Sequence, residues 1–327
     1  MRGIGSRIRG FACIFAAVAA LGLAGCGLQP PVPRSPDTEP EPVAVDAPAP
    51  VTPTPGTTEL PEPPKLPPVA IVLTSSQPAY ADVAAELADR FDDYDVYDLS
   101  DRSRPPVSVL RVINDSGPGA VVAIGLRAAQ SSVAMAESPV IFSQVFNHQD
   151  HDLLNELSRG VAALAPLDAQ LDAWKALDPD LVRVGAIIGK GHDELIAEAQ
   201  AAAERHGIDL RIRVAHSDQE TMYFFRRMVR DIDGFWLFPD TRILSARVLR
   251  DMLDEANRLR VPVAVPNESM LEMGGTISLS TVATDIADTI VGIIRKIQAG
   301  DFEAAAPVTP LSEIRVTTHD SVRMADR

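Results

Sequence analysis

The side chains equipped to hold a ligand fall just after apolar runs. In one half of the chain these are Ser75, Ser76, Gly125, Phe142, Gln144 and Phe146; in the other they are Gly189, Lys190, Ser217, Asp240, Thr241, Asn267 and Glu268. Hydroxyls and backbone amides suit a carboxylate, Asp240 and Glu268 suit an amine, and the aromatic rings suit an apolar side chain. A small zwitterion would be satisfied by such a set. Each residue taken singly is also what a turn or a helix N-cap in a strand-to-helix loop commonly uses.

Other constellations point nowhere in particular. His148 and His151 stand three apart in His-Gln-Asp-His, but no third metal ligand follows in a pattern a metal site would need, and a polar loop after a strand accounts for them. The chain has no Gly-x-Ser-x-Gly elbow and no glycine-rich phosphate loop, and Gly117-Pro118-Gly119 reads as a turn before a strand. The sequence therefore predicts no catalysis, no cofactor and no metal. Met222 to Met228, with Tyr223, Phe224 and Phe225, reads as a helix face against a sheet, and Trp236 as core.

The elements that must position the strand-end residues come in two series. Val69 to Leu73 is a β-branched apolar run, followed by a polar turn and a helical pattern from Pro78 to Phe91. The unit recurs with strands at 94–98, 120–124 and 140–142 and helices at 106–114 and up to about 135. A second series has strands at 183–188, 210–214, 234–238 and 261–265, with helices at 192–206, 219–230 and 244–258. Unbroken apolar strands alternating with helices imply parallel sheets built by right-handed crossovers. A break near 143–168 separates two doubly wound lobes, and ligands of such sheets bind beyond the carboxyl ends of the strands. A short strand at 276–279 and a long amphipathic helix at 282–298, stopped by Gly300, complete the pattern.

The chain begins with Arg2, Arg7 and Arg9, an apolar run from Phe11 to Leu23, and then Leu23-Ala24-Gly25-Cys26. That layout is a secretory signal ending in what looks like a bacterial lipobox, with Cys26 as the lipidated mature N-terminus. The apolar run is short of the ~20 residues a membrane span needs. From Leu28 to Pro68 the chain holds 15 of its 27 prolines and shows no helical or strand period, so it reads as a disordered spacer. Extended as polyproline II it would reach roughly 120 Å. Gly27 rather than Asp after the cysteine weakly favours the outer membrane. The two cysteines, Cys13 and Cys26, both lie before the folded part, which excludes a disulfide or thiolate metal site there. The net charge of −15 falls almost entirely downstream of Pro68 and argues against a nucleic acid or an anionic membrane face as ligand.

A family resemblance rests on the stretch from Ala120 to Phe146, with Val-Val-Ala-Ile-Gly-Leu-Arg-Ala-Ala and later Pro-Val-Ile-Phe-Ser-Gln-Val-Phe. Gly160-Val161, Asp168 to Gln170, Ala176-Leu177-Asp178-Pro179, Pro239-Asp240-Thr241 with Ser245, Val261-Pro262-Val263 and Gly274-Gly275 follow in matching order. These resemble the substrate-binding lipoproteins of ABC transporters, which have the type I periplasmic-binding-protein fold. The resemblance implies two α/β lobes joined by a hinge. It divides the chain into a signal at 1–25, the lipidated cysteine and linker at 26–68, a first lobe at 69–160 completed by 280–300, a second lobe at 161–279 and an extended end at 301–327. It implies that Ser75 or Ser76, Gly125, Gln144, Asp240, Thr241 and Glu268 line the ligand cleft, to which the strand-end position of Phe142 adds an aromatic ring. The function implied is capture of a small, amino-acid-like solute for an ABC permease, facing the periplasm of a bacterial cell envelope, with no nucleic acid partner. The other reading the sequence leaves open is an envelope interaction or assembly lipoprotein that keeps the fold without transport, a role the long tether would suit.

Overall fold

A computed structural model describes residues 65–319. The signal, Cys26 and the linker up to residue 64 lie outside the described residues.

The first strand, β1 (Val69–Leu73), is buried along its whole length. Its β-branched side chains fit a pleated surface covered on both faces. Pro78 then opens α1 (Pro78–Ala88), where its fixed φ and missing N–H cost nothing. The same alternation gives β2 (Tyr94–Asp98), α2 (Pro106–Ser116), β3 (Ala120–Ile124), α3 (Leu126–Met135), β4 (Val140–Ser143) and β5 (Ser158–Val161). Gly117, at φ +61°, ends α2 in the left-handed turn that glycine adopts without strain. A single 3₁₀ turn, His148–His151, occupies the loop between β4 and β5.

After α4 (Leu167–Leu177), a second series runs β6 (Arg183–Gly189), α5 (Asp193–Arg205), β7 (Asp209–Ala215), α6 (Asp218–Met228), β8 (Gly234–Leu237), α7 (Ala246–Leu259), β9 (Val263–Val265) and β10 (Ile277–Ser280). The chain returns through α8 (Ala283–Gln298), β11 (Val308–Thr309) and β12 (Arg315–Thr318). Two six-stranded sheets result, ordered β11-β5-β4-β3-β1-β2 and β12-β10-β9-β8-β6-β7. All pairs are parallel except β10 with β12. The sequence-based expectation of two parallel α/β lobes is met.

Each sheet is covered on both faces. In the first lobe Ile71, Val122 and Ile141 pack beneath α1 and α8, through Leu87, Ile290 and Ile294. Val72, Val121 and Phe142 face α2 and α3, through Leu110 and Ile113 of the former and Ala128 and Ala129 of the latter. In the second lobe Ala186 and Trp236 pack with Trp174 of α4, while Ile187 and Phe235 meet Phe225 of α6 and Leu253 of α7. Trp236 is core, as its apolar strand predicts, and its indole N–H donates to Gln170 Oε1 at 2.9 Å.

The chain crosses between the sheets three times, at 162–166, at 281–282 and at 310–314. The third crossing is pinned by Asp285 of α8: its carboxylate accepts from the Ser312 and Glu313 amides at 2.8 and 2.9 Å and from the Ser312 hydroxyl at 2.8 Å. The start of the described chain is docked rather than free. Leu66 packs on the first core, Pro67 lies against Gly119, and Lys65 pairs with Asp92 at 3.2 Å.

Candidate functional site

The carboxyl ends of both sheets open onto one cleft of about 630 Å³. Ligand pockets usually span ~300–1,000 Å³. One wall comes from the start of α1 (Gln77, Tyr80) and the segment after β4 (Gln144, Phe146, Asn147); the other comes from the ends of β8 and β9 (Thr241, Arg242, Asn267, Glu268). Ser280 at the end of β10, Thr281 of the second crossing and Arg315 of β12 complete the lining.

The residues singled out by sequence divide. Gln144, Thr241 and Glu268 line the cleft, as do Phe146 and Asn267. Gln144 holds a left-handed backbone, φ +58°, and its side-chain amide donates to Thr281 Oγ1 at 3.3 Å, tying the β4 loop to the second crossing. A non-glycine residue in that region carries backbone strain that its surroundings must hold. Gly125 stands behind the wall: a Cβ there would come within 2.7 Å of the Tyr80 ring and of Thr74 Oγ1, and that hydroxyl accepts from the Ala128 amide at the start of α3. The glycine lets Tyr80 lie flat against the strand end. Ser75 and Ser76, the two residues before Gln77, do not line the cleft.

Phe142 is buried in the first lobe's core, its ring against Gly160. Position 142 lies inside β4, short of its carboxyl end and on the face covered by α2 and α3, so its ring is taken into the core and not into the cleft beyond the strand ends. Ser217 caps α6, accepting from the Glu220 amide at 3.3 Å, while Glu220 reaches back to the His216 amide at 2.8 Å.

Asp240 also stands behind the lining, fully buried, and the protein itself uses both its oxygens. Oδ1 accepts from Asn147 Nδ2 at 3.0 Å, Arg242 Nε at 2.9 Å and the Arg242 amide at 3.1 Å. Oδ2 accepts from the Gly189 amide at 2.9 Å and Arg242 Nη2 at 2.7 Å. Burial works to raise its pKa, but the hydrogen bonds from Arg242, His192 and Asn147 outweigh that and hold the carboxyl well below the usual carboxylate range. Arg242 spends its remaining nitrogen on Asp150 at 2.6 Å. His192 meets Asn147 Oδ1 through Nε2 at 2.9 Å, and its ring lies 4.9 Å from that of Phe146.

The charges left for a ligand are elsewhere. Arg315 lines the cleft, and its guanidinium makes no ion pair among the described residues. Glu268 lines it too and accepts one bond, from Thr317 Oγ1 at 2.8 Å. Sequence reasoning missed Arg315 because it lies in a segment read as an extended end, where nothing local marks a strand that joins the second sheet. Tyr80, Asn147 and Arg242 were missed as well; Arg242, two residues from a candidate carboxylate, was the one with a visible signal. Among the described residues no group of three or more His, Asp or Glu side chains could hold a metal ion.

Comparisons with known proteins agree with this architecture. No curated protein matches the sequence. A substrate-binding protein with adhesive properties from Clostridium difficile, in its ligand-free, open form, superposes with a TM-score of 0.57 at 14% identity, over 78% of this chain and 92% of that one. An ABC domain in complex with L-Trp from Streptococcus pneumonia gives 0.54 at 20% identity, over 78% and 92%. A conserved domain protein from Vibrio cholerae gives 0.53 at 18% identity, over 79% and 93%. At these identities the superpositions establish the fold. The family model described as ABC transporter substrate binding protein matches residues 92–317, and the chain belongs to that family, a substrate-binding one rather than an enzyme class.

Proposed function

We propose that this chain is a lipid-anchored receptor that closes its two lobes on a small, amino-acid-like solute and passes it to an ABC permease. The observation that carries the reading is that Arg315 and Glu268, of opposite charge and in no ion pair among the described residues, line one interlobe cleft with Tyr80 and Phe146. A zwitterion would set its carboxylate against the guanidinium and the Thr281 hydroxyl, whose oxygen accepts from Gln144 and whose proton is left to donate, its ammonium toward Glu268, and its side chain against the two rings. Binding of this kind needs no chemical step, and the mechanism is a shift of population toward the closed state by contacts made to both lobes at once. The lipobox-like run ending in Cys26 favours anchoring on the periplasmic side of a bacterial membrane, and Gly27 favours the outer one.

Calorimetric titration with amino acids and with their esters and N-acetyl derivatives tests the charge pairing. The bound amino acid should lose at least tenfold in affinity on esterification and again on acetylation, and Arg315→Ala should remove the penalty of esterification. Equal binding of ester and acid by the native chain would sink the zwitterion reading.

A further inference from the structure

We propose that Asp240, Arg242, Asn147 and His192 form a latch between the lobes, which holds the cleft wall together without any help from the solute. The two halves of the network come from different sheets. Asn147 and Asp150 lie in the loop after β4 of the first, whereas His192 and Asp240 with Arg242 follow β6 and β8 of the second. Asn147 is buried and uses both ends of its amide across the gap: Nδ2 donates to Asp240, and Oδ1 faces His192. Arg242 spans the gap a second time, gripping Asp240 with Nε and Nη2 and Asp150 with Nη1.

Five donors on one carboxylate fill its roughly four lone-pair positions, so Asp240 has nothing left for a ligand amine. Its role is to anchor the latch. The loop being held is itself strained at both ends, since Gln144 and Asp152 take left-handed backbones at φ +58° and +48°. The end of β6 is shaped to the same purpose: a Cβ on Gly189 would collide with Asp240 Oδ2. A latch of this kind means that opening must break buried polar contacts, whatever the solute.

Hydrogen exchange followed by mass spectrometry on the full chain reads the latch directly, because opening exposes the loop at 144–152 and the three crossings. In Asn147→Ala, exchange at 144–152 and at the crossings 162–166, 281–282 and 310–314 should rise together by about tenfold or more, with β3 and β8 unchanged. Asp150→Asn, at an exposed position, keeps the test valid if the buried variant loses its fold; it should speed the same segments by a smaller factor. Faster exchange confined to 239–243, or no change at the crossings in either variant, would overturn the latch.

Discussion

At the scale of single residues, Gly125 and His148 give the sharpest expectations. Gly125 combines φ +84° with a missing Cβ whose place is taken by the Tyr80 ring and Thr74 Oγ1. Gly125→Ala should destabilise the chain by about 2–4 kcal/mol, the sum of left-handed strain and a forced shift of Tyr80, read as a lower denaturant midpoint with unchanged slope. His148 lies beside the Phe142 ring at 5.8 Å, and burial first, then the charge of nearby His192, push its imidazole below the ordinary histidine range. Its folded state prefers the neutral ring. Stability from this group is therefore fully present above the unfolded pKa of ~6.5 and declines as pH falls below it, because the unfolded chain then binds the extra proton. Thermal melts at pH 7.5 and pH 5 should differ more for the native chain than for His148→Gln; an equal drop in both would show that His148 does not titrate in this way. The site was half legible at this scale. Gln144, Thr241 and Glu268 could be picked out because they follow apolar strands directly, but the diversion of Asp240 onto Arg242 is a matter of side-chain direction, and sequence spacing does not reveal it.

At the scale of elements, the strands and helices of the two series stand where the apolar runs and punctuating residues place them, including β2 and β3 to the residue and the stop at Gly300. The misses share a cause. β5, with Arg159 and Gly160 at its centre, and the two-residue β11 lack an apolar run, and β12 is an exposed edge strand. Their pairing comes from neighbours distant in sequence, as in Val308 with Gly160 and Leu279 with Val316. α4 was passed over because its acidic, mixed start at Leu167–Asp168 falls inside the apparent break between lobes, although its burial of Trp174 and Gln170 is what seats it on the second sheet. Caps, by contrast, are local. Ser217→Ala removes the bond to the Glu220 amide at the start of α6 and should cost about 1 kcal/mol in a denaturation midpoint, with Ser217→Asp largely restoring it. A cost near zero would mean that the longer Ser217 bond contributes nothing beyond what water supplies.

At the scale of the molecule, two sheets of matching order share three crossings, and a cleft lies where their carboxyl ends meet. Asp285 belongs to this level, since it fastens the third crossing to the first lobe's α8. Asp285→Asn removes the charge that both amides point to, and faster hydrogen exchange at 310–314 is expected with the cores unchanged. That the tail returns to both sheets could not be read beforehand, because a two-residue strand in the first and an antiparallel edge in the second carry no local signature.

The central claim is that this cleft binds a small zwitterionic solute. Thermal melts of the full chain against a panel of amino acids and small organic acids test it most directly. At a solute concentration a hundredfold above Kd, mass action adds about 2.7 kcal/mol, which for a chain of this size raises Tm by roughly 5–10 °C. The expected result is such a rise with at least one amino acid, abolished by Arg315→Ala together with Glu268→Gln. No rise with any member of the panel, or a rise that survives both substitutions, would contradict it.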